Sequence, residues 1–410
     1  MSRSSAARPL KDPQGTAPAR PPLTRGMVWL FTVMGAFVVA NLYYNQPLLA
    51  EIGQEFGAGR GATGLVSTLT QAGYALGLFL FVPLADVREH RGLIMVLLVV
   101  VSAALAGVAM APTLPWLVAA SFVLGLTTVV PQIIIPFAAG LADPAERGRV
   151  VGQVVGGLLI GILGARTVAG VLGDAFGWRW VFGLASGLML VLAVVAWAAF
   201  PRVAPGASLP YGGLLRSMAG LLRTERVLGE VALKGGFAFA AFSAFWTTLA
   251  FNLEAPPLHH GPRAAGMFGL VGIVGAMAAP LTGRFTDGRD PRAAAAVGIG
   301  LAIASFALFL AFGHSIAGLV AGVILLDAGM QAVGISNQAR IYRLPAELHG
   351  RLNTVYMATY FTGGALGSLL GSWAWAHHDW TGVCLVGVGM LACAALVHLR
   401  GGRRRLAAAA

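Results

Sequence analysis

Charge is scarce in this chain. Of its 410 residues, 16 are acidic and 28 are Lys or Arg, so charged side chains make up 11% of the sequence. Water-soluble domains carry about 25%, and so small a share cannot clothe a surface for water. A soluble enzyme and a disordered tail protein are therefore excluded. Cysteine is scarcer still. Cys384 and Cys393 fall in one apolar stretch, which excludes a secreted disulfide scaffold and leaves both as packing residues. Catalytic signatures are missing as well. No Walker lysine motif, H-E-x-x-H or G-x-S-x-G occurs, so ATP hydrolysis has no visible basis, and an intramembrane enzyme lacks a nucleophile–base constellation. Gly59, Gly61 and Gly64 match G-x-G-x-x-G, but no strand precedes them and chance composition accounts for the match. No cofactor and no metal site is expected; His259-His260 and His377-His378 read as exposed loop residues.

Apolar residues, by contrast, make up 57% of the chain, the mean hydropathy is +0.77, and 56 residues are Gly. Abundant Gly lets membrane helices approach closely. A membrane-crossing helix needs about 20 mostly apolar residues. Such runs lie at 28–49, 63–84, 92–111, 115–139, 150–172 and 179–200, then at 229–253, 264–283, 293–313, 317–339, 352–375 and 381–399. The expected fold class is all-α integral membrane, with twelve transmembrane helices. The first run is too long for a signal peptide and stays as a span. Residues 1–26, rich in Pro and Arg, read as a disordered tail.

The net charge of +12 suggests nucleic acid until the charges are located. With the N-terminus cytoplasmic, only Arg60, Arg179 and Arg263 lie outside, while Arg166 and Lys234 lie within spans. The other basic residues occupy the cytoplasmic loops, the N-terminal tail and the basic tail 400–410. That asymmetry predicts both termini inside and attraction to anionic lipid head groups, with no nucleic-acid partner.

The chain also repeats itself. Asp86 recurs as Asp287, and Pro144-Ala145-Glu146 recurs as Pro345-Ala346-Glu347, each 201 residues on; Trp178 recurs as Trp380 at 202. Two pseudo-symmetric six-helix bundles are therefore expected, at 27–200 and 229–399. They are joined by a cytoplasmic linker, 201–228, with a substrate site between them. Within the linker, Leu214, Leu215, Met218, Leu221 and Leu222 fall at helical spacing among arginines, the pattern of an amphipathic helix on the inner leaflet.

From residue 27 to 399 the chain resembles a major facilitator superfamily transporter, and it is similar to the twelve-span drug:proton antiporter branch, whose relatives also export sugars and nucleosides. The resemblance is carried by Asn41-Leu42-Tyr43-Tyr44-Asn45-Gln46-Pro47, by the loop Pro83–Arg91, and by Gly161, Gly164, Ala165, Arg166 and Gly170. Val82, Val87 and Glu89 depart from the superfamily's loop pattern, and Ala165 stands where the antiporter motif usually has Pro. The resemblance implies a cavity lined by spans one, four, seven and ten. It also implies a conformational latch formed by Asp86, Arg88 and Arg91, with Arg149 and Arg351 as candidate partners.

Charges inside a bilayer are costly and mark function or clamping. Asp327, in span ten, is the acidic residue well inside a span and the candidate for proton coupling. Gln331, Gly334 and Gln338 extend its face of the helix. Arg166 in span five is the candidate buried gate charge and needs an anion: Asp327, a substrate carboxylate, or backbone carbonyls. Lys234 reads as a local pair with Glu230. Cavity candidates are Asn41, Tyr44, Asn45 and Gln46 in span one, Thr128 and Gln132 in span four, and Ser243, Trp246 and Thr247 in span seven. Ser67, Gln71 and Tyr74 make a weaker stripe in span two. The reading is a monomeric inner-membrane secondary transporter for a small-molecule substrate. Export in exchange for protons is what the resemblance implies. The alternatives are proton-coupled or facilitated uptake of a small metabolite, and a non-transporting sensor or scaffold.

Overall fold

A backbone in lipid must satisfy its hydrogen bonds within itself, and a helix does so segment by segment. The computed structural model describes residues 23–203, 210–276 and 290–409, and among these every regular element is a helix. Nearly all of the expected disordered tail lies outside the described residues. At its end, Thr24 accepts the Met27 N–H and starts α1, Arg25–Ala40.

The first span is not one helix. After α1 the backbone turns through residues 41–45, makes a short 3-10 segment at Gln46–Leu48 and resumes as α2, Leu49–Glu55. Then come α3, Arg60–Val87, and α4, His90–Ala109. The fourth span breaks as well, into α5, Leu114–Thr127, and α6, Val130–Leu141, where Pro131 cannot continue the hydrogen-bond ladder. The first half ends with α7, Arg147–Phe176, and α8, Trp178–Ala199.

The linker contains α9, Tyr211–Thr224, which buries Leu214, Met218 and Leu221 and leaves Leu222 exposed. The second half holds α10, Arg226–Glu254; α11, Pro262–Ala276; α12, Pro291–Phe312; α13, Ile316–Ile341; and α14, His349–Ala409. The remainder of expected span eight, with Arg284, Asp287 and Arg289, lies outside the described residues. Non-helical φ/ψ at His378 and Asp379 divide α14 into expected spans eleven and twelve, and the helix runs on into the basic tail. Among the described residues, nine helical stretches are long and apolar enough to cross a membrane, and this double helix counts as one of them.

The internal repeat has a backbone counterpart. Gly177 (φ +85°) precedes Trp178, and Asp379 (φ +49°) precedes Trp380. Each tryptophan thus opens a helix after a left-handed residue, which Gly and Asp tolerate best. Both indoles are anchored, Trp178 to Glu55 at 2.5 Å and Trp380 to the Phe309 carbonyl at 2.8 Å.

The halves meet along α3 against α14 and along α7 against α11. A Cβ on Gly170 would lie 2.7 Å from the Cα of Gly266, so α7 and α11 touch backbone to backbone. Thr167 adds a hydrogen bond to the Gly266 carbonyl at 3.0 Å. Gly157 and Gly161 pack on Thr32 and Ala36 of α1, whereas Gly164, read as part of the same stripe, meets no neighbour within 4 Å. At the end away from the linker, Arg60 donates to the Phe251 carbonyl at 3.1 Å and pairs with Glu254 at 3.2 Å, which Gln54 also contacts. These contacts tie the two halves together at the far end. At the linker end, Phe31 of α1 packs on Phe200, 4.8 Å between ring centroids. There α9 bridges the halves: the Tyr211 hydroxyl donates to Leu80 at 2.8 Å, and Ser217 accepts from Arg351 at 2.6 Å.

Candidate functional site

The two helix breaks matter because irregular backbone inside a membrane is tolerated where it lines a cavity or lies buried in protein. The first break carries Asn41, Tyr44, Asn45 and Gln46, all buried. Arg166 meets it there. Its Nε donates to Gln46 Oε1 at 2.7 Å, and its guanidinium lies 4.0 Å from the Trp246 ring, 4.9 Å from Tyr43 and 6.0 Å from Phe242. The side chain is 1% exposed, yet Nη1 and Nη2 make no hydrogen bond among the described residues. One edge of the fork is pinned and caged while the other edge is free.

Asp327 lies across the interface between halves. It is 7% exposed, and its Oδ2 also makes no hydrogen bond. At 1.5 Å per residue, it sits about 16 Å from the start of α13, and Arg166 sits about 15 Å from the end of α7. Both of those helix ends belong to the far end, so the two charges share a depth. Along the Asp327 face, Gln331 is half-buried, Gly334 meets nothing within 4 Å and Gln338 is exposed. The face opens progressively toward the linker end.

The remaining expected site residues divide by what they touch. Asn41 donates to Met189 Sδ at 3.4 Å and leaves its Oδ1 without a partner. Asn45 is fully engaged, donating to Thr70 at 3.2 Å and accepting from Ser67 at 2.9 Å. Thr128 bonds back to the Leu124 carbonyl at 2.6 Å, and half-buried Gln132 lies within reach of the Tyr74 hydroxyl. Ser243 and Thr247 belong to a chain joining the halves. Ser243 donates to Gln71 at 3.1 Å, Gln71 donates to Ser368 at 2.8 Å, and Ser368 shares a proton with Thr247 at 2.8 Å. Tyr360, stacked on Phe239 at 4.0 Å, is close enough to feel the charge of Asp327.

The latch residues are dispersed. Asp86 and Arg88 are exposed, and Arg351 acts on Asp86 electrostatically while its hydrogen bond goes to Ser217. Arg91 donates to the Phe200 carbonyl at 3.4 Å and lies over Trp197, and Arg149 sits 3.9 Å from Glu146, the residue just before its own helix.

In place of the expected Glu230–Lys234 pair, Glu230 binds Arg292 at 2.7 Å and grips Arg340 with both oxygens at 2.7 and 2.9 Å. Two arginines from α12 and α13 outcompete a lysine one turn away. Lys234 is left fully buried, its Nζ without a hydrogen bond. The adjoining cavity, about 760 Å³, opens at the linker end between Arg226, Arg292, Arg340 and Arg400. A second, of about 440 Å³, lies at the far end beside Glu51, Asp174, Glu254, His259 and His260. Neither reaches Arg166 or Asp327.

Past residue 49, where the expected first span ends, α2 carries two carboxyls with opposite behaviour. Burial pushes Glu51 above its ordinary value, the Trp178 N–H offsets this in part, and Glu55 and Asp174 add to it. For Glu55 burial is the largest single effect and raises it, but hydrogen bonds from Arg179 and Trp178 and the charge of Arg179 together outweigh it and hold the group below the ordinary value.

Tyr43 and Phe242 were not among the expected site residues. Helical spacing marks both, because they lie three and four residues before Gln46 and Trp246. Ser368 and Tyr360 carry no comparable local signal.

Broken spans, contacts that tie the halves at the far end and two buried unpartnered charges of opposite sign suit a multi-pass membrane transporter of small molecules. The chain belongs to the Major Facilitator Superfamily, whose profile matches residues 30–342. It is 39% identical to a protein of Escherichia coli O157:H7 named "Uncharacterized transporter YgaY", over 94% of this chain and 98% of that one. It is also similar to a protein of Pasteurella multocida (strain Pm70) named "Probable sugar efflux transporter", 23% identical over 86% of this chain and 87% of that one. Among solved structures, the peptide transporter POT in complex with sulfate matches with a TM-score of 0.77 at 13% identity, over 93% of this chain and 96% of that one. That last likeness concerns the fold alone.

Proposed function

We propose that this chain is an inner-membrane secondary transporter that exports a small organic compound in exchange for protons. It works as a monomer by alternating access, with both termini cytoplasmic. The bundles are 27–200 and 229–399, and the linker is 201–228. The observation that carries the reading is Asp327: a carboxylate at mid-depth between the halves, without a hydrogen bond on Oδ2, on a helix face that opens toward the linker end. Taking up a proton makes this group neutral, and a neutral carboxyl can pass an apolar gate that its anion cannot. Export is supported by the efflux relative, and cytoplasmic termini are supported by the basic loops. Asp86 and Arg351 serve as the latch at the linker end, with Arg88, Arg91 and Arg149 around them.

The test is proton movement on purified protein in liposomes, with a panel of drugs, sugars, nucleosides and amino acids. Proton release on addition of one compound, lost in Asp327→Asn with the protein still folded, is the expected result. A compound that crosses without moving protons removes the role given to Asp327.

A further inference from the structure

Two opposite charges are buried at one depth in this molecule, and neither is satisfied by the protein. Arg166 has its Nε fixed on Gln46 and its flank on Trp246, so that Nη1 and Nη2 remain as two parallel donors. Asp327 presents Oδ2. Gly269 and Gly272 of α11 pack against the helices that carry them: a Cβ on Gly269 would lie 3.1 Å from the Arg166 Cβ and 3.0 Å from Thr167, and one on Gly272 would lie 3.1 Å from Leu163 and 3.5 Å from Asp327 Oδ2. The two charges lie close enough to act on each other.

We infer that the substrate is a small zwitterion, a free amino acid or a close analogue, whose carboxylate takes the Arg166 fork and whose ammonium takes Asp327. Buried charges demand counter-charges, and one molecule carrying both signs supplies both. A planar carboxylate fits two parallel guanidinium donors. A cation alone meets Arg166 as a like charge, and an anion alone meets Asp327 in the same way. Tyr360, stacked on Phe239 beside Asp327, offers an aromatic face to an apolar side group.

The inference rests on the proposed proton exchange in one respect. The titratable groups that act on Asp327 are Arg166 from α7 and Tyr360 from α14. A proton on Asp327 removes the partner of the ammonium while Arg166 keeps its charge, so proton and substrate compete, as an exchanger requires.

The experiment is equilibrium binding to the purified full-length protein in nanodiscs. L-phenylalanine carries both charges, N-acetyl-L-phenylalanine the anion only, and L-phenylalanine amide the cation only; leucine and glycine extend the side-group series. Phenylalanine should bind at least tenfold more tightly than either capped analogue. In Asp327→Asn, phenylalanine and its N-acetyl form should bind alike. In Arg166→Gln, phenylalanine and its amide should bind alike. A misfolded variant cannot produce this crossed pattern, and Arg166→Lys serves as a folded control that keeps charge without the fork. Equal binding of all three probes by the wild type, or no binding of any free amino acid, overturns the inference. If no amino acid binds while another compound drives Asp327-dependent proton movement, the zwitterion fails and the exchanger stands. If phenylalanine binds and crosses without protons, the reverse holds.

Discussion

Arg166 and Asp327 stand at the same depth in helices from opposite halves of the chain and remain unjoined. Arg166 spends its Nε on Gln46 and its charge on an aromatic cage, and neither Nη nor Oδ2 of Asp327 makes a hydrogen bond in the protein. A pair held apart in this way is a cost to the fold and an opportunity for a ligand.

Arg166→Met combined with Asp327→Leu should therefore abolish transport without weakening the protein. Replacing buried charges of both signs together by apolar volume is often neutral or stabilising, by as much as about 4 kcal/mol. The thermal unfolding midpoint in detergent should match or exceed that of the wild type. A midpoint well below it would mean that the two charges clamp the structure.

Glu230 predicts the opposite behaviour. Glu230→Gln leaves Arg292, Arg340 and Lys234 crowded around a neutral group, and breaking a buried pair costs about 3–5 kcal/mol. The midpoint should fall, and adding Lys234→Met should restore part of the loss. If the double variant is no better than the single one, Lys234 does not share in the repulsion.

At Gly170, a larger residue has nowhere to go, since the Gly266 backbone occupies its Cβ position. Gly170→Leu should prise α7 from α11 and bias the protein against closure of the far end. In a background lacking Cys384 and Cys393, Gln54→Cys with Glu254→Cys should cross-link readily. Adding Gly170→Leu should cut that yield severalfold, and an unchanged yield would refute the coupling.

Much of the architecture is legible in the sequence because hydropathy reports directly on lipid. The run at 317–339 matches Ile316–Ile341, and the offsets near 201 anticipate the paired left-handed residues before Trp178 and Trp380. The breaks after Ala40 and Thr127 were not legible, because polar residues such as Asn41, Asn45, Gln46 and Thr128 fit an unbroken cavity-lining helix equally well, and membrane helices tolerate a proline such as Pro131. Lys234 was misread for a related reason. Spacing of four reveals a neighbour on the same helix but not two arginines arriving from α12 and α13. The Gln71–Ser368 bond is likewise invisible before the halves are assembled, since 297 residues separate its partners.

Acid should act on α2 in two opposed ways. Glu55, held below its ordinary value, contributes stability that is complete at neutral pH and lost as the pH falls through that lowered value. Glu51, raised by burial, is instead relieved as it takes up a proton. Relative to wild type, Glu55→Gln should lower the unfolding midpoint at neutral pH and Glu51→Gln should raise it. Both differences should shrink toward zero in acid. Unfolding curves across pH check the signs, and parallel curves for all three proteins would contradict them.

The linker helix α9 is tied by one bond to each half, Tyr211 to Leu80 and Ser217 to Arg351. Met218 and Leu221 of α9 also share a buried apolar cluster with Val231, Leu352 and Tyr356 of the second half. The strap is therefore anchored in that half by packing as well as by a bond, while it meets the first half through Tyr211 and Phe79. If the halves move apart at this end, the strap should ride with the second.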